Sequence, residues 1–334
     1  MTRINNADRG IRNRCWIGLV PIVLLCAASA SAAEPMGIGI GTQPSAALLQ
    51  IAAERGLLAA QGIDARISRY ASGKRAMLDG LFTGAADVVG AADTPVVANA
   101  FKRQDFAVLA AIFQADDVNR IIARRDAGID SPADLRGKTV GTQEASAVHY
   151  FLHLFLAKHR IGYDEVTLKF FNAEALPKAL ADGEIDAFSM REPFIGEAQA
   201  LLGDNAIVFK EPRLFPQYEL LLVRRDYLQA HPARVRALLR ALGQAAKLMQ
   251  DDAAGMTALI ARFIGGDLAD VTEALRGWRP RLFLDQAMLL GMEFEAEWII
   301  HDGLTNQSRI PNLLRIIDPE PLAEIDPDAV RMNR

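Results

Sequence analysis

The chain of 334 residues has only two cysteines, Cys15 and Cys26. Both lie in an amino-terminal segment with the three parts of a secretory signal peptide. Four arginines come first, an apolar run follows over residues 15–30, and a small-residue site, Ala30-Ser31-Ala32, closes the segment. We therefore expect residues 1–32 to be a cleaved signal peptide and the protein to be periplasmic. The mature chain would then lack a disulfide, a thiolate nucleophile and any cysteine ligand for a metal.

Two other interpretations of this segment are less favoured. A membrane anchor needs about 20 apolar residues in a row, whereas this run is shorter and Pro21 interrupts it. A lipid anchor at Cys26 would have a small residue before the cysteine, and Leu25 stands there. After residue 32 no stretch is long and apolar enough to span a bilayer.

A basic excess is also lacking. The leader removes four of the 37 basic residues and one of the 41 acidic ones, so the formal charge moves from −4 to −7. A mildly acidic surface does not suit nucleic acid or an anionic membrane.

No low-complexity linker is present, and about 300 residues exceed what one small core holds. We therefore expect two lobes joined by strands that cross between them.

After the leader, short β-like runs alternate with helical ones, which is typical of an α/β fold with a largely parallel sheet. Ser45 is interpreted as the N-cap of a helix over 46–55, and a single helix is predicted over 73–83. Long helices make up most of the carboxy-terminal third. The predicted strands are 36–41, 63–70, 87–90, 107–113, 138–141, 166–171, 187–189 and 219–223.

One helix–strand junction occurs twice. Leu81-x-x-Gly84-x-x-Asp87 and Leu180-x-x-Gly183-x-x-Asp186 have the same spacing, within the same order of elements. In each, the glycine is expected to end the helix in a left-handed conformation and the aspartate to begin the next strand. The match predicts two lobes of similar design.

The chain resembles the nitrate-, sulfonate- and taurine-type substrate-binding proteins of ABC transporters, which include thiamine-precursor-binding relatives. The segments that carry the resemblance run from Gly56-Leu57 to 322–327, and they include Tyr70-Ala71-Ser72-Gly73, 84–88, 93–95, 134–141, 146–150, 183–187 and Glu192-Pro193-Phe194. The resemblance implies a type II periplasmic-binding-protein-like fold of two α/β lobes with hinge-crossing strands. The lobes would be 36–117 plus 221–334, and 118–220.

The same resemblance implies a non-catalytic function. The protein would capture a small organic anion between its lobes, as a monomer without a cofactor, and deliver it to a membrane permease that a separate ATPase drives. A sulfonate or a carboxylate is favoured over nitrate or a pyrimidine. Neither nucleic acid nor a metal is expected as a partner.

Ligands of parallel α/β sheets bind beyond the carboxyl ends of the strands, where helices begin and offer free N–H groups. Each such junction here also has an ordinary interpretation as a helix N-cap. Together with their match to the family, the junctions predict ligand contacts at Gln43, Ser72, Gly73, Thr94 and Ser146.

Arg191 stands where relatives often have an aromatic residue before an acidic–proline pair, here Glu192-Pro193. A guanidinium there would bind a carboxylate, a sulfonate or a phosphonate through two hydrogen bonds. The alternative is a surface arginine paired with Glu192 or Glu197. Gln114, at the end of a predicted strand, and Glu192 itself complete the expected ligand site.

His149 and His153 share a helical face, as two zinc ligands can. A third ligand is not evident, and Tyr150 follows His149 where a metalloprotease would have glutamate. We therefore expect His149 to face the ligand and no metal to bind.

Two other functions remain open. A sensor module would hand the ligand to a receptor kinase. An enzyme on the same scaffold would act on a pyrimidine or a sulfinate, and the sulfinate reaction would require a nucleophilic cysteine. No phosphate-binding loop is found, because Gly37-Ile38-Gly39-Ile40-Gly41 lacks the required spacing.

Overall fold

The computed structural model describes residues 34–333, so the predicted signal peptide and both cysteines lie outside the described residues. Within that range, ten strands form two five-stranded sheets, and a short parallel pair stands apart. The strands are β1 Met36–Gly41, β2 Ala65–Tyr70, β3 Val88–Ala92, β4 Phe106–Ala115, β5 Arg120–Arg124, β6 Thr139–Thr142, β7 Thr167–Phe170, β8 Ala187–Met190, β9 Ala206–Lys210, β10 Gln217–Arg224, β11 Leu284–Asp285 and β12 Val330–Arg331.

The helices lie between the strands and after β10. They are α1 Ala47–Glu54, α2 Leu57–Ala60, α3 Gly73–Arg75, α4 Asp93–Ala100, α5 Ala147–Lys158, α6 Leu176–Ala181, α7 Phe194–Leu202, α8 Arg225–Ala230, α9 Pro232–Asp251, α10 Ala253–Ile264, α11 Leu268–Ala274, α12 Gln286–His301 and α13 Glu320–Ala323. None of the described helices is long and apolar enough to cross a membrane. The single helix predicted over 73–83 is wrong in detail, since α3 gives way to a π-helical segment over Ala76–Leu81.

The two sheets have the same design. The first has the order β2-β1-β3-β10-β4 and the second β7-β6-β8-β5-β9. In the first sheet β1 pairs in parallel with β2 and β3, and β10 pairs antiparallel with β3 and β4. In the second sheet, β6 pairs in parallel with β7 and β8, and β5 pairs antiparallel with β8 and β9. Four strands of each described sheet therefore share one direction, which confirms an α/β fold with two similar halves.

The repeated junction is the same in both sheets. Gly84 and Gly183 have φ angles of 79° and 76°, in the left-handed region that glycine adopts without steric cost. Asp87 then accepts the N–H of Gly37 at 2.8 Å, and Asp186 accepts the N–H of Thr139 at 2.8 Å. Each aspartate thus joins its junction to the neighbouring parallel strand of its own sheet, β1 or β6.

A second repeat was not predicted. Arg224, at the end of β10, binds Asp226 through two hydrogen bonds of 3.0 and 2.9 Å. Arg124, at the end of β5, binds Asp126 in the same way, at 2.9 and 3.0 Å. Since β10 and β5 are the reversed strands of their sheets, the two pairs occupy equivalent places.

The chain passes between the sheets twice. It leaves the first sheet after β4 and enters the second at β5, and it returns from β9 to β10. The crossings are residues 116–119 and 211–216. The lobe limits predicted from the sequence, at 117/118 and 220/221, stay a prediction, and β10 pairs in the first sheet from Gln217 onwards.

Both sheets are filled by apolar side chains. In the first, the strands β4 and β10 are buried, and α9 packs against α1, α2 and α10 with inward residues that recur every three or four positions. These are Val235, Ala237, Leu238, Leu239, Ala241, Leu242, Ala245, Ala246 and Met249. Burial of this stripe leaves the strand ends, rather than the sheet faces, as the place where polar side chains gather.

Candidate functional site

Arg191 joins the two sheets. It follows β8 in the second sheet, and its terminal nitrogens donate to the side-chain oxygens of Gln217 at 2.9 Å and Gln43 at 3.0 Å. Gln43 follows β1, and Gln217 begins the reversed strand β10, so both belong to the first sheet. These positions lie at the edge where the carboxyl ends of the parallel strands meet. The surface pairing of Arg191 with Glu192 or Glu197 is not the arrangement found.

The same three residues leave nitrogen donors unused. Because each glutamine oxygen accepts from Arg191, each amide nitrogen is directed away from the guanidinium. Gln43 Nε2, Gln217 Nε2 and Arg191 Nε are sealed from solvent, and none has an acceptor among the described residues. A buried donor without an acceptor costs about 1–3 kcal/mol. The site therefore contains three buried nitrogen donors that lack an acceptor oxygen.

These donors line a small space between the sheets, which we call the Arg191 pocket. Its enclosed volume is about 10 Å³, close to what one water molecule requires. The remaining lining residues are Pro44, Ser45, Phe113, Val118, Glu192 and Ala274. An organic ligand would enter only after the two sheets move apart.

Buried carboxyl groups face Arg191. Glu219 accepts the hydroxyl of Ser45 at 3.0 Å, and Asp93 accepts the N–H groups of Thr94 and Tyr218, each at 3.0 Å. Burial raises the pKa of Glu219 to about 7, although the charge of Arg191 opposes this. Burial likewise raises the pKa of Asp93 to about 7, although its two backbone hydrogen bonds lower it.

The pairing also acts on the arginine. Burial lowers the pKa of Arg191, while the charges of Glu219 and Asp93 raise it. A guanidinium stays protonated in proteins, so the pocket keeps its positive charge at every physiological pH.

The prediction that Ser45 caps a helix is wrong, since α1 begins after Ala46 and the Ser45 hydroxyl donates to Glu219 instead.

Thr94 is fully buried and donates its hydroxyl to Glu295 of α12 at 2.8 Å. Burial, and then the charge of Asp93, raise the pKa of Glu295 well above its ordinary value. The structure places Thr94 next to Asp93 at the end of β3, with its hydroxyl proton already engaged.

Ser72 and Gly73 follow β2. The Ser72 hydroxyl accepts the N–H of Arg75 at 3.2 Å as the N-cap of α3. A Cβ atom on Gly73 would lie 2.8 Å from both the Gly90 carbonyl oxygen and a carboxylate oxygen of Glu219. Glycine is required here because the turn packs directly against Glu219, which links this junction to the surroundings of Arg191.

Ser146 and His149 lie at the start of α5 in the second sheet. The Ser146 hydroxyl donates to the Gln143 carbonyl. His149 accepts the N–H of Ala145 at 3.2 Å through Nδ1, and its Nε2 contacts the Tyr163 hydroxyl. Burial lowers the pKa of His149 to about 4, so the ring is neutral at pH 7. Both ring nitrogens are engaged within the protein, and His149 holds the loop before α5.

The two other predicted residues lie on either side of Arg191. Gln114, near the end of β4, donates to the Tyr218 hydroxyl over a long 3.4 Å. Glu192 lines the Arg191 pocket and accepts the N–H of Gly196 at 2.9 Å. Burial raises the pKa of Glu192.

The structure thus brings Gln43, Arg191 and Glu192 into one pocket. It places Ser72, Gly73 and Thr94 around the neighbouring carboxyl groups and Ser146 and His149 across the gap. As for the metal alternative, no group of three His, Asp or Glu side chains suited to a metal occurs within residues 34–333.

Sequence reasoning missed three residues of this region, Gln217, Glu219 and Lys74. Gln217 and Glu219 are polar residues at the start of an otherwise apolar strand, a signal that was available and not used. Lys74 follows the predicted Ser72-Gly73 turn, and its ammonium donates to the carbonyl oxygen of Glu144, in the loop after β6.

Comparisons with known proteins agree with this architecture. A family model described as "NMT1/THI5 like" matches residues 43–254. A putative aliphatic sulfonates-binding protein of Bacillus subtilis (strain 168) is 25% identical over 239 residues, 69% of this chain and 72% of its own length.

Solved structures share the fold. The alkanesulfonate-binding protein SsuA from Xanthomonas axonopodis pv. citri, bound to MOPS, superposes with a TM-score of 0.72 at 22% identity, over 86% of this chain and 100% of that one. The desulfurization enzyme DSZB superposes with a TM-score of 0.60 at 18% identity, over 86% and 98% of the two chains. Binding proteins and an enzyme therefore share this scaffold.

Proposed function

Because the chain belongs to the NMT1/THI5-like family, we propose that it is a periplasmic solute-binding protein of an ABC importer. Its ligand is a small organic anion, with a sulfonate or a carboxylate favoured. The protein captures this anion between its two lobes and delivers it to a membrane permease. Relatives that are sulfonate-binding proteins support the solute class, and the sequence pattern of residues 1–32 supports export with a cleaved leader.

The observation that carries the proposal is the set of unused donors in the Arg191 pocket. Two amide nitrogens and one guanidinium nitrogen, all buried and all from residues that line the pocket, have no acceptor among the described residues. A sulfonate or carboxylate offers only acceptor oxygens and a negative charge. Hydrogen bonds between ionised partners are about twice as strong as neutral ones. An oxyanion therefore matches the site in both hydrogen bonding and charge.

The mechanism is capture followed by closure. When the lobes part, the Arg191 bonds to Gln43 and Gln217 break and expose their nitrogens to the solvent. An anion that binds one lobe then takes the place of these internal acceptors as the hinge shuts.

No catalytic step is assigned. The two cysteines lie in the predicted leader, so the mature chain has no nucleophile of the kind that the sulfinate reaction would require. The permease, its ATPase and a monomeric state belong to the proposal. An assay of ATPase stimulation in a reconstituted transporter, with and without this protein, tests the import role against that of a sensor.

The ligand proposal is tested by a thermal-shift screen of residues 33–334 against alkanesulfonates, carboxylates, nitrate and pyrimidines. A ligand at 100 times its dissociation constant stabilises a protein by about 2.7 kcal/mol. Each kcal/mol raises the melting temperature of a 150–250-residue unit by about 2–4 °C, so the expected rise is roughly 5–11 °C. A rise with an organic anion supports the proposal, and a rise only with a neutral pyrimidine contradicts it.

A further inference from the structure

We infer that Lys74 is a second ligand-binding cation of the interlobe cleft, and that the ligand carries a second acidic group at the end remote from Arg191. This inference rests on the proposed function, because it specifies which organic anion the same cleft selects. The ligand class is a two-ended anion such as an ω-sulfocarboxylate or a dicarboxylate.

Lys74 reaches from one sheet to the other, as Arg191 does in the opposite direction. It lies just after β2 of the first sheet, and its ammonium donates to the carbonyl oxygen of Glu144 in the loop after β6 of the second sheet. That loop leads into α5 through Ser146, one of the predicted ligand contacts. The Lys74 ammonium therefore occupies the gap between two of the junctions that the sequence predicted to bind ligand.

The charge of Lys74 has no carboxylate in contact. Among the described residues, no Asp or Glu oxygen forms an ion pair with it, and its partner is a neutral carbonyl oxygen. The neighbouring charges on Arg75 and Lys102 are of the same sign, and Arg75 is itself paired with Asp79 at 2.8 Å. Burial lowers the pKa of Lys74, and the negative charge of Glu144, which acts on it more strongly than Arg75 or Lys102, opposes this without forming an ion pair. An anionic group of the ligand at this position would form an ion pair with the Lys74 ammonium.

Arg191 and Lys74 share one arrangement. Each crosses between the sheets, and each donates to neutral oxygens of the opposite sheet, the two glutamine amides in one case and the Glu144 carbonyl in the other. A ligand with one acidic group replaces the neutral acceptors of only one cation. A ligand with two acidic groups replaces both, and each replacement is a stronger, charge-assisted bond.

The two cations also mark different parts of the cleft. Arg191 lies in the pocket with Gln43 and Gln217, whereas the charge of Lys74 acts on His149 and lowers its pKa. Gly73, beside Lys74, packs against Glu219, which in turn faces Arg191. Glu219 therefore lies against the turn that carries Lys74 and also acts electrostatically on Arg191.

The test is isothermal titration of the mature protein with the alkanesulfonates from propane-1-sulfonate to hexane-1-sulfonate and with the series from 3-sulfopropanoate to 6-sulfohexanoate. We expect one sulfocarboxylate to bind about tenfold to 100-fold tighter than the plain alkanesulfonate of the same length, as one more hydrogen bond to a charged group provides. Lys74→Met is expected to bring that ratio of dissociation constants to about one, and Lys74→Arg to preserve most of it.

Lys102→Met is the matched control, because Lys102 is exposed and lies near Lys74 without crossing the cleft. It is expected to keep the wild-type ratio, and the melting temperature of each variant shows that it is folded. If sulfonates bind and the ratio is about one in the wild type, or is unchanged in Lys74→Met, the inference is overturned while the proposed function stands. If no anion binds the wild type, the proposed function fails and the inference fails with it.

Discussion

The guanidinium of Arg191 donates to the side-chain oxygen of Gln217 at 2.9 Å, which ties the end of β8 in one sheet to the start of β10 in the other. Together with the bond to Gln43, this contact both closes the gap between the sheets and fixes the direction of two amide groups. The nitrogens that remain free all donate. Arg191 thus both holds the two sheets together and favours a ligand that accepts hydrogen bonds.

Substitution of Arg191 by methionine removes the charge and all guanidinium donors from the pocket. We expect the affinity for the organic anion found in the screen to fall about 30-fold or more, because loss of one partner of a buried charged hydrogen bond costs about 2–5 kcal/mol. Arg191→Lys keeps the charge without the planar fork and should recover only part of this loss. Isothermal titration measures both affinities, and near wild-type affinity in Arg191→Met would show that the anion does not bind in the Arg191 pocket.

The pH dependence of stability follows from Glu219 and Asp93. Burial raises the pKa of each to about 7, above the unfolded value, so the native state holds more protons than the unfolded state between about pH 4 and 7. The free energy of unfolding is therefore expected to fall as the pH rises through this range. Urea unfolding at pH 5 and pH 7.5 measures the difference.

Two variants test whether the pH dependence of stability comes from Glu219 in the cleft or from an exposed carboxylate elsewhere. Glu219→Gln should reduce the pH difference, because it removes one of the two titrating groups. Glu174→Gln, at an exposed position, should retain it. An equal pH difference in wild type and Glu219→Gln would show that Glu219 does not titrate in this range.

Ligand binding should take up protons. An anion beside Arg191 weakens the positive field that favours ionised Glu219, so the bound protein is expected to hold Glu219 protonated. The affinity should therefore rise as the pH is lowered from 8 to 6. Calorimetry in two buffers with different ionisation enthalpies measures the proton uptake, and a value of zero at pH 7 would count against this charge arrangement.

Gly73→Ala is expected to destabilise the protein by about 1–3 kcal/mol, because the added methyl group would press on the Gly90 carbonyl and on Glu219. Gly243→Ala is the control. Gly243 is an exposed residue of α9 with nothing within 4 Å of its Cβ position, so alanine should be neutral or stabilising by about 0.5–1 kcal/mol. Chemical denaturation measures both, and equal effects would show that Gly73 is not closely packed.

The sequence predicted much of the fold because its signals are local. Gly84 and Gly183 each end a helix within a few residues of the strand that they precede, and the structure has both in the left-handed conformation. The strands β5 and β9 were not predicted. Each is only five residues long; β5 pairs with the predicted strand β8 and with β9, and β9 pairs among the described strands with β5 alone.

The pocket itself was less accessible to sequence reasoning. Arg191 stood out because it departs from the family pattern, but its partners lie 148 residues before it and 26 residues after it. Which oxygen a guanidinium meets depends on how the two sheets close. Neither residue spacing nor composition encodes that closure, and for the same reason Lys74 could not be placed opposite Glu144.

The most direct test of the account is a crystal structure of the mature protein with the tightest organic anion from the screen. We predict that its acidic oxygens lie within about 3 Å of Arg191 and of the free amide nitrogens of Gln43 and Gln217, between the two sheets. An anion bound elsewhere, with Arg191 still bonded to both glutamines, would contradict the central claim.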